Sequence, residues 1–184
     1  MPPAAPNAFQ LRIALLDYQP EIWRRVLVPG SVRLNKLHLI FQNAMGWTDS
    51  HLHAFRIQGA LYGAQFDDYP DDELDEKKFT LGAVVSEGDR FAYEYDFGDS
   101  WDHEVVVERA SRVVPTLKVA VCLAGENACP PEDVGGTGGY VALLEVLADP
   151  THEDFKELSR WVGRNFDPTL FDLALVNAAL QSLG

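Results

Sequence analysis

Residues 9–16 (FQLRIALL) and 22–28 (IWRRVLV) consist largely of aliphatic, aromatic and β-branched residues, and Asp17-Tyr18-Gln19-Pro20 separates them. Short apolar runs bounded by turn residues read as strands, and their closeness in the chain predicts an antiparallel pair. Pro29-Gly30 ends the second run. Leu34, Leu37, Phe41, Ala44 and Met45 then recur at helical spacing, which predicts a helix over about 32–45 with Ser31 as its cap and Gly46 as its stop. Residues 53–58 (HAFRIQ) read as a short strand, 80–85 as a helical turn and 86–89 as a tight turn. The clearest strands follow. In 90–96 (RFAYEYD), Phe91, Tyr93 and Tyr95 alternate with Ala92, Glu94 and Asp96; in 103–109 (HEVVVER), His103, Val105 and Val107 share one face. Residues 97–102 suit a hairpin loop between them, and 117–123 suit a further strand.

The pattern changes near residue 125. Pro130, Pro131, Gly135, Gly136 and Gly138 punctuate a segment running from Gly125 to Gly139, which predicts a long irregular loop. Loops of about 15 residues inside compact domains are often functional. From Tyr140 onward the pattern is helical, with Tyr140, Leu143, Leu144 and Leu147 on one face. Asp149-Pro150 and Thr151-x-x-Asp154 both offer helix starts. Asp167-Pro168 is expected to open a last helix with Leu170, Leu173, Val176, Leu180 and Leu183 facing inward. Strands with one early helix, then a helical C-terminal third, predict an α+β fold with a mixed or antiparallel sheet. We see no internal repeat or linker, so residues 1–8 are expected to be a disordered tail and 9–184 one domain.

Composition narrows the function classes. The 184 residues are 47% apolar and 11% aromatic, enough for a real core. Fifteen Lys+Arg against 28 Asp+Glu give a net charge of −13, a field that repels nucleic-acid phosphates. No basic run exceeds Arg24-Arg25 or Lys77-Lys78, so direct nucleic-acid binding is disfavoured. Residues 67–78 (DDYPDDELDEKK) are the most charged stretch and are expected to form an exposed loop. No run approaches the roughly 20 apolar residues of a membrane span, and the start lacks the basic and apolar regions of a secretory signal. A cytoplasmic location is therefore expected. Cys122 and Cys129 make no disulfide framework, and their spacing is not that of a zinc finger; inert packing is expected of both.

Three polar groupings carry candidate chemistry. In Asp49-Ser50-His51-Leu52-His53 the imidazoles are two apart, so on an extended chain they point the same way and could chelate one metal. In Asp96-Phe97-Gly98-Asp99-Ser100-Trp101-Asp102-His103, carboxylates and an imidazole gather at a hairpin tip, in a composition that suits divalent metals. The alternative there is turn chemistry, with Asp99 bonding its own loop. In Cys129-Pro130-Pro131-Glu132-Asp133 the double proline stiffens the loop and fixes where the acids point. His152 is expected to be a surface residue and His38 a structural one. There is no G-x-S-x-G elbow, no H-E-x-x-H and no P-loop, so covalent nucleophilic catalysis is unsupported.

The motifs from Trp47 to Phe55, from Tyr95 to His103, and from Cys129 through Gly138-Gly139-Tyr140 resemble those of the plasmid pRiA4b ORF-3-like family, also labelled as passenger proteins of insertion elements. The likeness extends from about Phe9 to about Leu180. It implies an α+β fold and an association with plasmids and transposable elements in the prokaryotic cytoplasm, without a mechanism. Some members carry a resolvase-type label, but this sequence has no helix-turn-helix, basic tail or recombinase serine motif to match it.

The expected function is a binding module. His51, His53, Asp99 and His103 are the candidate metal ligands, and Asp49, Asp96, Trp101, Glu132, Asp133 and Tyr140 the candidate pocket residues. The pocket would take a divalent metal (zinc, manganese or magnesium) or a small polar ligand. One alternative is a metal-dependent phosphodiester hydrolase. Another is a non-catalytic adaptor with a protein partner, its tryptophans serving as core or partner anchors.

Overall fold

Phe9, Leu11, Ile13 and Leu15 are buried while Gln10 and Arg12 between them are only partly covered, the period-two pattern of a strand lying on a core. This is β1 (Ala8–Leu15). The structure is a computed structural model that describes residues 6–65, 73–112, 117–163 and 165–184. β1 pairs antiparallel with β2 (Trp23–Pro29) on one side and with β7 (Trp101–Ser111) on the other. With β3 (His53–Ile57), β4 (Ala60–Gly63), β5 (Leu74–Asp75), β6 (Arg90–Tyr95) and β8 (Val121–Glu126) they make an eight-stranded sheet ordered β5-β4-β3-β6-β7-β1-β2-β8. Neighbours run antiparallel except the β4–β5 pair. The helices are α1 (Leu34–Met45), α2 (Leu81–Val84), α3 (Gly136–Ala148), α4 (Phe155–Val162) and α5 (Leu173–Gln181). The class is α+β, and the sheet is mixed.

One sheet face builds the core. Phe9 and Ile13 of β1, Phe55 of β3, Tyr93 of β6 and Val105 of β7 pack into a cluster with Leu37 and Phe41 of α1. The other face is polar: Arg25 bonds Glu108, which also accepts from Gln10, and Arg90 meets Glu104 at 2.8 Å. An exposed pair such as Arg90–Glu104 contributes about 0–1 kcal/mol. The covered face therefore holds the sheet.

Arg24, on β2, points into the interior and is 2% exposed. Its guanidinium donates to the Ala44, Trp23, Glu126 and Asn127 carbonyls at 2.8–2.9 Å. Ala44 lies in the last turn of α1, where unpaired carbonyls concentrate negative potential, so a buried cation is tolerated without a carboxylate. Burial still lowers its pKa.

Several boundaries differ from those expected. Ser31 does not cap α1: the cap position is Arg33, in extended backbone that bridges to Thr80. The hairpin loop shortens to 96–100 because Trp101 already pairs with Tyr95. The strand expected over 117–123 begins at Val121, and α3 begins inside the glycine run, at Gly136, rather than at Tyr140. Asp149 and Asp167 each bond their own turn, at Thr151 and Thr169, instead of opening a helix. α4 starts at Phe155, and α5 is capped by Asp172, which accepts from Ala174 and Leu175. Leu170 is 59% exposed, and Leu173 and Leu183 are exposed too, so of the five expected inward only Leu180 is buried and Val176 partly so. The acidic stretch is expected to be loop. Its part over 67–72 lies outside the described residues, whereas 74–78 form β5 and a 3-10 turn that buries Glu76. In the expected N-terminal tail, Asn7 bonds Ser111 and Ala8 opens β1, while 1–5 lie outside the described residues.

Candidate functional site: two imidazole–carboxylate clusters

The three polar loops meet at one end of the sheet. The loop after α1 supplies His51, the β6–β7 turn supplies Asp96, and the loop before α3 supplies Asp133. Their ligand-capable atoms all lie within 4.8 Å of one another. His51 Nε2 is 3.0 Å from Asp133 Oδ1 and 3.5 Å from Asp96 Oδ2, but the ring is not angled to make a proper hydrogen bond with either, and the nitrogen is shut off from solvent. A buried polar atom without a formed bond needs a partner. Asp96 divides its labour. Oδ1 accepts from the backbone of Gly98 (2.9 Å) and Asp99 (3.3 Å), which leaves Oδ2 toward His51. Asp96 and Asp133 both hold left-handed backbone, with φ of 56° and 57°. Non-glycine residues in that region carry a conformational cost and gather at functional sites.

A brace of hydrogen bonds fixes the loops. Glu132 Oε1 accepts from Thr48 N (2.8 Å), Thr48 Oγ1 (3.1 Å) and Tyr95 Oη (3.0 Å). Tyr95 Oη in turn accepts from Ser50 N at 3.0 Å. Trp47 Nε1 donates to Pro130 O at 3.0 Å, seating the double-proline loop on the core. Asp99 Oδ2 accepts from Gly135 N at 3.0 Å. At Gly136, φ is 67° and a Cβ would come within 2.6 Å of Asp99 O, so only glycine fits this close approach.

A second cluster lies deeper. His38 of α1 and His53 of β3 stack face to face, with centroids 3.4 Å apart and planes within 2°. His38 Nε2 is 2.7 Å from Asp49 Oδ1, and its Nδ1 is 2.8 Å from Tyr93 Oη; that hydroxyl oxygen accepts from Gln42 Nε2. His53 Nε2 is 2.8 Å from Glu76 Oε2. Burial, and then the neighbouring His53, lower the His38 pKa to about 4, so this imidazole is neutral near pH 7.

The structure therefore divides the residues that the sequence groups into one pocket. His51, Asp96 and Asp133 come together, with Glu132 as their brace. His51 and His53 do not share a face, because His51 lies in the loop ahead of β3, where the strand alternation does not apply. His53 and Asp49 join the inner cluster. Asp99 is a loop staple. His103, Trp101 and Tyr140 are buried side chains, 0%, 1% and 0% exposed, and belong to neither cluster. His103 Nδ1 is 3.2 Å from Tyr93 O. Tyr140 packs on Tyr18 at 4.9 Å. Burial raises the pKa of both Cys122 and Cys129, so neither is a ready nucleophile. His152 is exposed, as expected. Sequence reasoning missed His38 and Glu76 as cluster members. The only available signal was a polar residue on the apolar face of α1.

A cleft of about 580 Å³ opens beside the outer cluster, between α3 and α4. Asp133 borders it together with Val134, Leu143, Glu157, Leu158 and Trp161. One imidazole and two carboxylates suit a borderline divalent ion such as zinc or manganese, and three protein ligands leave positions for water or a ligand atom.

Comparison with known proteins agrees with this architecture. The model of the plasmid pRiA4b ORF-3-like protein family matches residues 7–175. A Sinorhizobium fredii protein described as uncharacterized protein y4hQ is 37% identical over 180 residues, covering 96% of this chain and 92% of its own. A crystal structure of a protein of unknown function, MM3350 from Methanosarcina mazei, superposes with a TM-score of 0.83 at 35% identity, covering 93% of this chain and 98% of that one. Among the described residues no helix is long and apolar enough to cross a membrane.

Proposed function

The chain belongs to the plasmid pRiA4b ORF-3-like family, and from the junction of its three polar loops we propose that it is a metal-dependent binding module. One divalent cation sits between His51, Asp96 and Asp133 and faces a small polar ligand in the neighbouring cleft. The observation that carries this reading is His51 Nε2, enclosed within 3.5 Å of two carboxylate oxygens yet hydrogen-bonded to neither. A cation between the three groups satisfies the nitrogen lone pair and offsets the repulsion between the carboxylates. Asp133 links the two functions, since it belongs to the triad and also borders the cleft.

Metal-free protein titrated with Zn²⁺ and Mn²⁺, followed by calorimetry and elemental analysis, tests the assignment. Asp133→Asn and His51→Gln should each take up one equivalent fewer than wild type. Equal uptake in all three proteins removes the reading.

A second reading is favoured by the small number of protein ligands. A three-ligand centre leaves room for a bound water, which a divalent ion activates near neutral pH, as metal-dependent hydrolases require. A phosphodiesterase and phosphatase screen with added metal separates the two. Turnover abolished by Asp133→Asn supports hydrolysis; metal uptake without turnover on any ester leaves the binding module.

A further inference from the structure

We infer that the cavity between the first half of α1, the lead into β8 and the end of α5 binds a single-chain aliphatic carboxylate, with its tail inward and its head at the rim. The cavity encloses about 450 Å³, within the range of small-molecule sites. Its wall comes from Leu39 and Ile40 of α1, Val119 and Ala120 ahead of β8, Leu180 of α5 and Leu183 just past it. None of His51, Asp96 and Asp133 takes part, so the inference stands apart from the metal-dependent reading.

Polarity across the cavity is the first argument. Ile40, Ala120 and Leu180 are its enclosed members, 6%, 5% and 0% exposed. Leu183 is 39% exposed and opens onto solvent, and Lys36 and Lys118 are exposed as well. On α1, Lys36, Leu39 and Ile40 fall on one stripe, since residues three and four apart are neighbours on a helix surface. That stripe runs from a cationic end in solvent to an apolar end in the wall. A molecule with an aliphatic body and one charged end matches this gradient. A wholly polar ligand would leave the apolar wall unsatisfied.

Charge is the second. Acidic residues outnumber basic ones by 28 to 15 in the chain, yet the charged side chains on this cavity are Lys36 and Lys118, with no Asp or Glu beside them. Among the described residues the lysine ion pair is Lys78–Asp75, and neither Lys36 nor Lys118 makes one. An anion at this rim therefore meets two cations and no repelling side chain, in a protein whose net charge of −13 repels anions elsewhere. The polar side chain that accompanies the lysines is the Ser31 hydroxyl, and no guanidinium fork lines the cavity. The head is thus held by charge at a rim with few hydrogen-bond donors. A singly charged carboxylate gives up less hydration there than a doubly charged phosphate. The volume admits one aliphatic chain, not the two of a phospholipid.

The probes are hexanoate, octanoate and decanoate, with octylamine and octanol as controls of matched tail, each titrated into the full chain by calorimetry below its micelle concentration. Affinity should rise about fourfold per methylene until the tail outgrows the cavity. Octylamine should bind at least about tenfold more weakly than octanoate. The double variant Lys36→Gln/Lys118→Gln should lose about fivefold or more in octanoate affinity and leave octanol unchanged. Both lysines are exposed, so this variant keeps its fold. Leu183→Glu sets an anion at the mouth and should abolish octanoate uptake. Asp133→Asn should bind octanoate as wild type does. No decanoate binding up to about 1 mM overturns the site. Equal binding of octanoate and octylamine, or octanoate affinity unchanged in the lysine double variant, overturns the carboxylate. Loss of octanoate in Asp133→Asn moves the binding to the cleft beside α4 and overturns this cavity. A wild-type dimer that Leu183→Glu dissociates, with no alkanoate uptake, gives the face to a second copy and overturns it too.

Discussion

The Tyr95 hydroxyl donates to Glu132 Oε1 at 3.0 Å, joining the last residue of β6 to the double-proline loop, while the same oxygen accepts from Ser50 N. One phenol thus ties together the three segments that bear His51, Asp96 and Asp133. Burial, as the largest effect, raises the Tyr95 pKa, so the hydroxyl is a donor at neutral pH. Tyr95→Phe removes the donor to Glu132 and the acceptor for Ser50. We expect a loss of about 1–2 kcal/mol in urea unfolding. We also expect roughly tenfold weaker uptake of the outer cation, because groups that orient ligands are worth about that much. Unchanged affinity in a variant that has lost stability would show that the brace serves folding alone.

Arg24 supports the opposite end of the same arrangement. Its guanidinium saturates carbonyls at the end of α1 and at Glu126 and Asn127, just ahead of the loop that carries Asp133. Arg24→Met keeps the apolar stem but strands those acceptors in the interior. A loss of about 3 kcal/mol is expected by chemical denaturation. A change within about 0.5 kcal/mol would mean that water replaces the guanidinium.

What could be read from the chain follows a physical divide. β1, β6 and β7 were legible because alternation writes a half-buried strand directly into the sequence, and α1 because its apolar residues keep helical spacing. The helix starts were not. Asp149 and Asp167 bond their own turns with the same chemistry that elsewhere caps a helix, and local pattern cannot separate the two uses. The site shows the same divide. The segments 49–53, 96–103 and 129–133 stood out by composition, and the structure brings one residue of each together, His51, Asp96 and Asp133. Which residues meet depends on register and chain reversals. His51 stays in the loop before β3 while His53 opens the strand, so they join different clusters, and the paired β3 and β6 put Tyr93 and Tyr95 between them. Glu76 hid in an acidic stretch whose other members suggest only solvent. Its burial comes from a long-range contact with His53 that no local signal encodes.

His103 gives the protein a defined sensitivity to acid. Burial lowers its pKa from the ordinary 6.5 to about 4, against a small raising effect from the backbone of Tyr93 and Trp101. The ring is 0% exposed and packs against Trp47 and Tyr93, each 5.3 Å away centroid to centroid. Among the described residues Tyr93 is the one titratable side chain in ring contact with it, and it stays neutral because burial raises its own pKa. With Nδ1 directed at the Tyr93 carbonyl, Nε2 has no partner for a second proton. Between the two pKa values the unfolded chain binds a proton that the folded protein does not, so stability falls as pH falls. His103 therefore costs nothing above about pH 6.5, and its penalty grows toward pH 4 to a total of about 3 kcal/mol. Urea unfolding of wild type and His103→Gln at pH 7.5, 5.5 and 4.5 measures it. His103→Gln should be less stable at pH 7.5, since a shorter side chain leaves a gap beside Trp47. It should nevertheless lose about 2–3 kcal/mol less than wild type on going to pH 4.5. His38 and the carboxylates contribute to both slopes and cancel in the difference. Parallel slopes in the two proteins would show that His103 does not take up its proton on unfolding over this range.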